Sequence, residues 1–79
     1  MNTYSFDVVV EPDEDRWHAY CPALATYGAA TWGLTRDEAY QHIQEVVAMI
    51  IEELREDGID IPQNSVVLAA SDSRVAVTV

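Results

Sequence analysis

The longest regular pattern of apolar and polar positions in this chain lies between Thr35 and Gly58. At about 100° per residue, the apolar side chains share one broad arc: Ala39, Tyr40, Ile43, Val46, Val47, Ile50, Ile51 and Leu54. The opposite arc is polar and contains Gln41, Gln44, Glu45, Glu52, Arg55 and Glu56. An apolar arc of this width exceeds the seam of a two-stranded coiled coil, so the pattern predicts a helix that covers a sheet.

Residues at both ends of this stretch are typical of helix termini. Thr35 is a candidate N-cap, and Glu38 three residues later completes a capping box. Gly58 suits the left-handed position just beyond a helix C-terminus. No Gly or Pro lies between them. The sequence therefore predicts one uninterrupted helix from Arg36 to Asp57.

Four other stretches have the features of strands or extended chain. Residues 4–10 and 74–79 alternate in polarity, and residues 16–21 place Trp17, Ala19 and Cys21 on one face. Residues 28–33 form a shorter candidate strand before the helix, and residues 11–15 form an acidic turn around Pro12. Residues 65–70 fit either a strand or a helical turn. The interpretation at that segment stays open.

The order of these elements predicts the fold class. It reads β-β-β-α-β, which indicates a small α+β domain with an antiparallel sheet and one long helix on one face. Because a single helix covers only one face, the other face would carry Val9, Tyr20 or Trp32, depending on register. Exposed apolar patches usually mark protein contacts. We therefore expect a homo-oligomer (a dimer or higher) or a protein partner.

The length and the charge narrow the function further. A chain of 79 residues forms one domain, spanning residues 1–79, and 14 acidic residues against 4 arginines give a formal charge of -10. Such a chain repels phosphate backbones, so direct nucleic-acid binding is not expected. A basic protein partner is favoured instead, because electrostatic attraction raises association rates. Solubility alone remains the other explanation of the acidity.

The cell compartment follows from the single cysteine and from the first residues. Cys21 has no partner for an intramolecular disulfide, which fits a reducing cytoplasm. The first residues have no basic region followed by an apolar stretch, so no signal peptide is expected. No apolar run approaches the length of a transmembrane helix. We predict a cytoplasmic protein without membrane contact.

Catalytic and metal-binding interpretations have weaker support in the sequence. A metal-dependent nuclease needs converging carboxylates, for which Asp7, Glu38 and Asp72 are the best candidates. Glu38 is already explained as a capping residue, and Asp7 as a solvated strand residue. His18, Cys21 and His42 offer only three ligands for zinc, and the first two point to opposite faces of a strand. We therefore predict no enzyme activity, no metal and no cofactor.

A family resemblance covers about three quarters of the chain. Phe6, Val8 and Glu11, the acidic turn at residues 13–15, and Tyr20, Pro22 and Leu24 match the first two strands of HicB-family antitoxins. The matches at the start and the exit of the helix are Gly33, Thr35, Glu38, Ala39, Gly58, Ile61 and Pro62. The chain resembles the N-terminal domain of that family only, without the C-terminal DNA-binding domain of many members. It departs from the family at Ala23, Ala25, Thr26, Tyr27 and Leu34.

The resemblance implies a fold and a function. The fold would be a degenerate ribonuclease-H-like HicB domain. The function would be that of an antitoxin, which neutralises a basic HicA-like ribonuclease that cuts messenger RNA by occluding its RNA-binding surface. The alternative is a solitary HicB-like scaffold or adaptor with another protein partner. The predicted partner-binding residues are Asp13, Glu14, Asp15, Tyr20, Pro22, Leu24 and Trp32. The acidic outer face of the helix is an alternative surface.

Overall fold

The computed structural model describes residues 3–61 and 73–78 and confirms the predicted element order. Three strands precede the helix: β1 (Thr3–Asp13), β2 (Arg16–Tyr20) and β3 (Ala30–Gly33). A 3-10 helix (Pro22–Tyr27) lies between β2 and β3. The long helix α1 (Arg36–Glu56) follows, and β4 (Ser73–Thr78) comes last among the described residues.

The four strands form one antiparallel sheet in the order β3-β2-β1-β4. The first part of β1 pairs with β4, from Thr3 opposite Thr78 to Val8 opposite Ser73. The second part pairs with β2, from Val9 opposite Tyr20 to Asp13 opposite Arg16. β1 is therefore the strand that joins the two halves of the sheet.

Both ends of α1 have the predicted caps. At the N-terminus, the Oγ1 of Thr35 accepts a hydrogen bond from the backbone N–H of Glu38 at 3.0 Å. At the C-terminus, Gly58 has a φ of 69° and its N–H donates to the carbonyl of Arg55. The N–H of Ile59 donates to the carbonyl of Leu54 at 2.9 Å, which completes a Schellman motif. These bonds satisfy backbone groups that the helix ends leave unpaired.

The hydrophobic core lies between α1 and one face of the sheet. Its sheet side consists of Phe6, Val8, Ala19, Cys21, Val75 and Val77. Its helix side consists of Ala39, Ile43, Val47, Ile50, Ile51 and Leu54, while Tyr40 and Val46 are partly buried against it. The predicted apolar arc of the helix is confirmed. Each buried aliphatic or aromatic side chain contributes about 1.5–3 kcal/mol, so this layer supplies most of the stability.

The connection from β3 to α1 depends on Gly33. A Cβ at this position would lie 2.4 Å from the backbone nitrogen of Ala39, a distance too short for any side chain. The last residue of β3 therefore contacts the backbone of the first helical turns directly. Only two residues, Leu34 and Thr35, separate the strand from the helix.

Some predicted boundaries differ from the structure. β1 extends to Asp13, so the predicted turn at residues 11–15 contracts to Glu14 and Asp15. A two-residue loop is enough to reverse the chain, because Glu14 adopts a positive φ of 58°. β2 ends at Tyr20, and β3 begins at Ala30, two residues after the predicted start.

Two further predictions concern the less regular parts of the chain. The predicted connection after Pro22 is a 3-10 helix, and its Leu24 is fully buried in the core. Residues 65–70, Pro62 and Val79 lie outside the described ranges. Within those ranges, no helix combines the length and the apolar character needed to cross a membrane.

Candidate protein-interaction surface

The sheet face opposite α1 is the candidate functional surface, and we refer to it as the open face. Strand alternation and the observed register place these residues on it: Ser5, Asp7, Val9, Glu11, Asp13, Arg16, His18, Tyr20, Ala30, Trp32, Arg74 and Ala76. Val9, Tyr20 and Trp32, the three candidates from the sequence, all lie on this face. Trp32 remains 41% exposed. The described part of the chain therefore leaves an aromatic sheet surface uncovered.

Four side chains of β2 and β3 form a stack on the open face. The ring of His18 lies 5.2 Å from that of Tyr20 and 4.9 Å from that of Trp32. The guanidinium carbon of Arg16 lies 4.9 Å from the centre of the Trp32 ring. We call Arg16, His18, Tyr20 and Trp32 the aromatic stack. Contacts between rings, and between a cation and an indole, favour such an arrangement.

Asp13 holds the indole of Trp32 in place. The Nε1 of Trp32 donates to the Oδ2 of Asp13 at 3.0 Å. The Nε of Arg16 lies 3.8 Å from the same oxygen. Because Asp13 lies on β1 and Trp32 on β3, the indole extends across β2. The position of the largest exposed ring on this face is thus fixed by a carboxylate two strands away.

Each carboxylate of the open face that belongs to β1 has a basic neighbour. Arg74 lies 3.1 Å from Asp7, and His18 lies 3.5 Å from Glu11. Arg16 is the neighbour of Asp13. Asp7 is only 6% exposed, so the expectation that it is an ordinary solvated residue is wrong. A buried carboxylate needs compensating partners, and Arg74 supplies one.

The helix side of the molecule has a different charge distribution. Residues 36–60 contain eight carboxylates and two arginines, which gives this segment a formal charge of -6. Glu45, Glu52 and Glu56 all lie on the exposed face of α1. At the hairpin turn, Glu14 and Asp15 are also exposed. The negative potential of the molecule is therefore concentrated on the helix and the turn, beside a more balanced open face.

The structure separates the predicted partner-binding residues into four groups. Asp13, Tyr20 and Trp32 lie on the open face, and Glu14 and Asp15 lie at its turn. Pro22 is half-buried at the first position of the 3-10 helix. The side chain of Leu24 is fully buried, because the 3-10 helix directs it into the core, and we exclude it from the surface.

Two residues of the aromatic stack were not among the predicted ones. Arg16 and His18 follow the same alternation as Tyr20, so the sequence placed all three on one face. The pairing of His18 with Trp32 depends on the register between β2 and β3, and the sequence alone does not supply it. The strand pattern therefore indicated the face but not the contacts on it.

The described residues do not support the metal-dependent interpretations. Across residues 3–61 and 73–78, no three His, Cys, Asp or Glu side chains are grouped so that they could hold a metal ion. Asp72, the third carboxylate of the nuclease interpretation, lies outside these ranges. The Nδ1 of His42 lies 2.7 Å from the carbonyl oxygen of Trp32, to which it donates.

Cys21 is placed for packing rather than for reactivity. Its side chain is fully buried in the core. Burial raises the pKa of the Cys21 thiol, with backbone hydrogen bonds at Leu24 and Ala23 opposing the shift and the charge of Asp7 adding to it. A neutral, buried thiol is a poor nucleophile and a poor metal ligand.

No family model, no curated protein and no solved structure matches this chain. The resemblance to the HicB family therefore stays a prediction. The structure itself establishes a small α+β fold with four antiparallel strands and one long helix among the described residues.

Proposed function

We propose that the chain is a HicB-like binding module that neutralises a small basic ribonuclease of the HicA type. The observation that carries the proposal is the combination of a strongly acidic molecule with an uncovered aromatic sheet face. Trp and Tyr are enriched among the few residues that provide most of the binding energy at protein interfaces. Negative charge around them selects a partner with a positive surface.

The contacts divide between apolar anchors and acidic residues. Tyr20 and Trp32 provide the apolar contact area on the β2–β3 side of the open face, and Pro22 follows β2. Glu14 and Asp15 attract the basic partner from the turn. Asp13 belongs to the same surface, and its hydrogen bond also positions Trp32.

Neutralisation works by occlusion. A ribonuclease that binds RNA through a basic surface has to leave that surface open to phosphates. An acidic protein bound there covers the cationic side chains and excludes RNA by both steric and electrostatic repulsion. In this proposal the chain itself makes and breaks no bond.

The test is co-expression with the product of the neighbouring gene, where that gene encodes a small basic protein. We expect the two to copurify and the complex to lose the messenger-RNA cleavage of the free ribonuclease. A basic neighbour that neither copurifies nor is inhibited would refute the proposal. Copurification of a partner without ribonuclease activity would instead support the alternative, a scaffold or adaptor.

Charge-reversal variants test the acidic turn. Glu14→Lys with Asp15→Lys should slow association with the ribonuclease about 10-fold at low salt and weaken its dependence on salt. Glu45→Lys with Glu52→Lys on the outer face of α1 makes the same change in charge and is the matched control. If the helix pair slows association more than the turn pair, the partner binds the helix side.

A further inference from the structure

We propose that Asp13 and Trp32 form a binding site for a guanidinium group, which Arg16 of the same chain occupies until an arginine of a basic partner replaces it. The inference rests on the proposed function only in its choice of a basic partner. The site itself is defined by the described residues of the open face.

The two recognition elements of a guanidinium site are present together. The indole of Trp32 offers a ring face, and the guanidinium carbon of Arg16 lies 4.9 Å from its centre. The Oδ2 of Asp13 offers a charged acceptor 3.8 Å from the Nε of Arg16. The hydrogen bond between Trp32 and Asp13, at 3.0 Å, holds the ring and the carboxylate in a fixed relation.

The attachment of Arg16 to this site is loose. Its side chain is 52% exposed, and that of Asp13 is 43% exposed, so water screens their attraction. By contrast, a partner that covers the open face would exclude this water. The same two contacts are stronger when they are desolvated. Releasing Arg16 to water therefore costs little, and a partner's guanidinium that replaces it contributes these contacts to binding.

The site should prefer arginine over lysine. A guanidinium is planar, stacks on an indole and presents several donors to a carboxylate at once. An ammonium is a compact and strongly hydrated charge, and it gains less from the ring.

The experiment measures binding of two short peptides that differ only in having two arginines or two lysines. Binding is followed through the indole N–H signal of Trp32 in a proton–nitrogen correlation spectrum, at about 150 mM salt to screen long-range attraction. The loss of one of the two indole signals in a Trp32→Phe variant assigns it. The probe thus reports on Trp32 and not on Trp17.

Arg16→Gln is the decisive variant, because it empties the site and leaves Asp13 and Trp32 in place. We expect it to bind the arginine peptide about 5-fold more tightly than the parent chain, with little gain for the lysine peptide. Adding Asp13→Asn to this variant should reduce the preference for arginine to the part that the ring of Trp32 supplies. Arg55→Gln on the exposed face of α1 makes the same change in net charge and is the matched control.

Two results would overturn the inference. One is an Arg16→Gln variant whose affinity rises equally for both peptides, or rises no more than that of Arg55→Gln. Net charge alone would explain either result. The other is a peptide that binds without shifting the Trp32 signal. The outcome is independent of the ribonuclease assay: a selective guanidinium site without an inhibited ribonuclease would refute the proposed function alone.

Discussion

The two faces of the sheet are held by different forces, although the same strands form both. Against α1, side chains such as Phe6, Val8 and Val75 are buried in a continuous apolar layer. On the open face, Trp32 and Tyr20 remain accessible and are held by stacking and by a hydrogen bond to Asp13. Burial of apolar area dominates folding energetics, whereas exposed polar contacts contribute little. The first face therefore stabilises the fold, and the second is free to be used in binding.

Substitution of Phe6 is the strongest test of this comparison. Phe6→Ala should lower the free energy of unfolding by about 3–5 kcal/mol, because it leaves a cavity between β1 and α1. This loss is large for a chain of 79 residues, whose total stability is expected to be about 4–12 kcal/mol. Denaturant unfolding monitored by circular dichroism measures it.

The control for Phe6 is Val9→Ala, on the same strand but on the open face. Val9 is half-buried, so we expect a loss below about 1 kcal/mol. Equal losses for the two variants would mean that the open face contributes to folding as much as the core does. The comparison between the faces would then be wrong.

The junction between β3 and α1 is the next most sensitive point. Gly33→Ala should cost about 1–3 kcal/mol, because the added methyl group would overlap the backbone of Ala39 and neither backbone segment can move freely. Thermal unfolding measures the loss. A variant with unchanged stability would show that the backbone at the junction can shift, and that the distance between β3 and the helix is not tightly fixed.

Substitutions of Asp7 and Arg74 test the part of the open face where a carboxylate is buried. Arg74→Met should cost about 1–3 kcal/mol, because the buried carboxylate of Asp7 loses a charged partner. In the double variant with Asp7→Asn, the total loss should be smaller than the sum of the two single losses. Additive losses, measured by denaturant unfolding, would show that the two side chains do not interact.

The sequence predicted the covered face better than the open one, for a physical reason. The helix arc, its Thr35 cap and the role of Gly58 follow from periodicity and from local chemistry, and the structure confirms all three. Alternation also made Val9, Tyr20 and Trp32 candidates for the open face, but left the choice among them to the register. These signals are local or strictly periodic, so they can be recognised in a single sequence.

The contacts on the open face depend on the register between neighbouring strands, which a single sequence indicates only weakly. The bond from Trp32 to Asp13 joins residues 19 positions apart across an intervening strand. Leu24 was predicted to contact a partner. The 3-10 helix that buries it has no periodic sequence signature, so the sequence did not indicate its burial. The burial of Asp7 was missed for a related reason, since its partner Arg74 comes from the far end of the chain.

Trp32 should matter more for binding than for folding. Trp32→Phe removes the hydrogen bond to Asp13 and keeps an aromatic ring, so we expect a loss of about 0.5–1 kcal/mol in unfolding free energy. The same variant should weaken binding of the basic partner about 10-fold or more, as is typical of an interface anchor. Isothermal titration calorimetry measures the second effect. A large loss of stability with unchanged binding would reverse the assigned role.

Cys21 gives the smallest effect at neutral pH, and its effect changes as the pH rises. Burial raises the pKa of its thiol, so the folded state retains a proton that the unfolded state releases above about pH 8.5. The stability due to this neutral thiol is complete below that pH and is lost as pH rises towards the raised value. Denaturant midpoints between pH 7 and pH 9.5 should therefore fall more steeply for the parent chain than for Cys21→Ala. Parallel pH profiles would show that the thiol is not shielded, and that the covered face admits water next to Cys21.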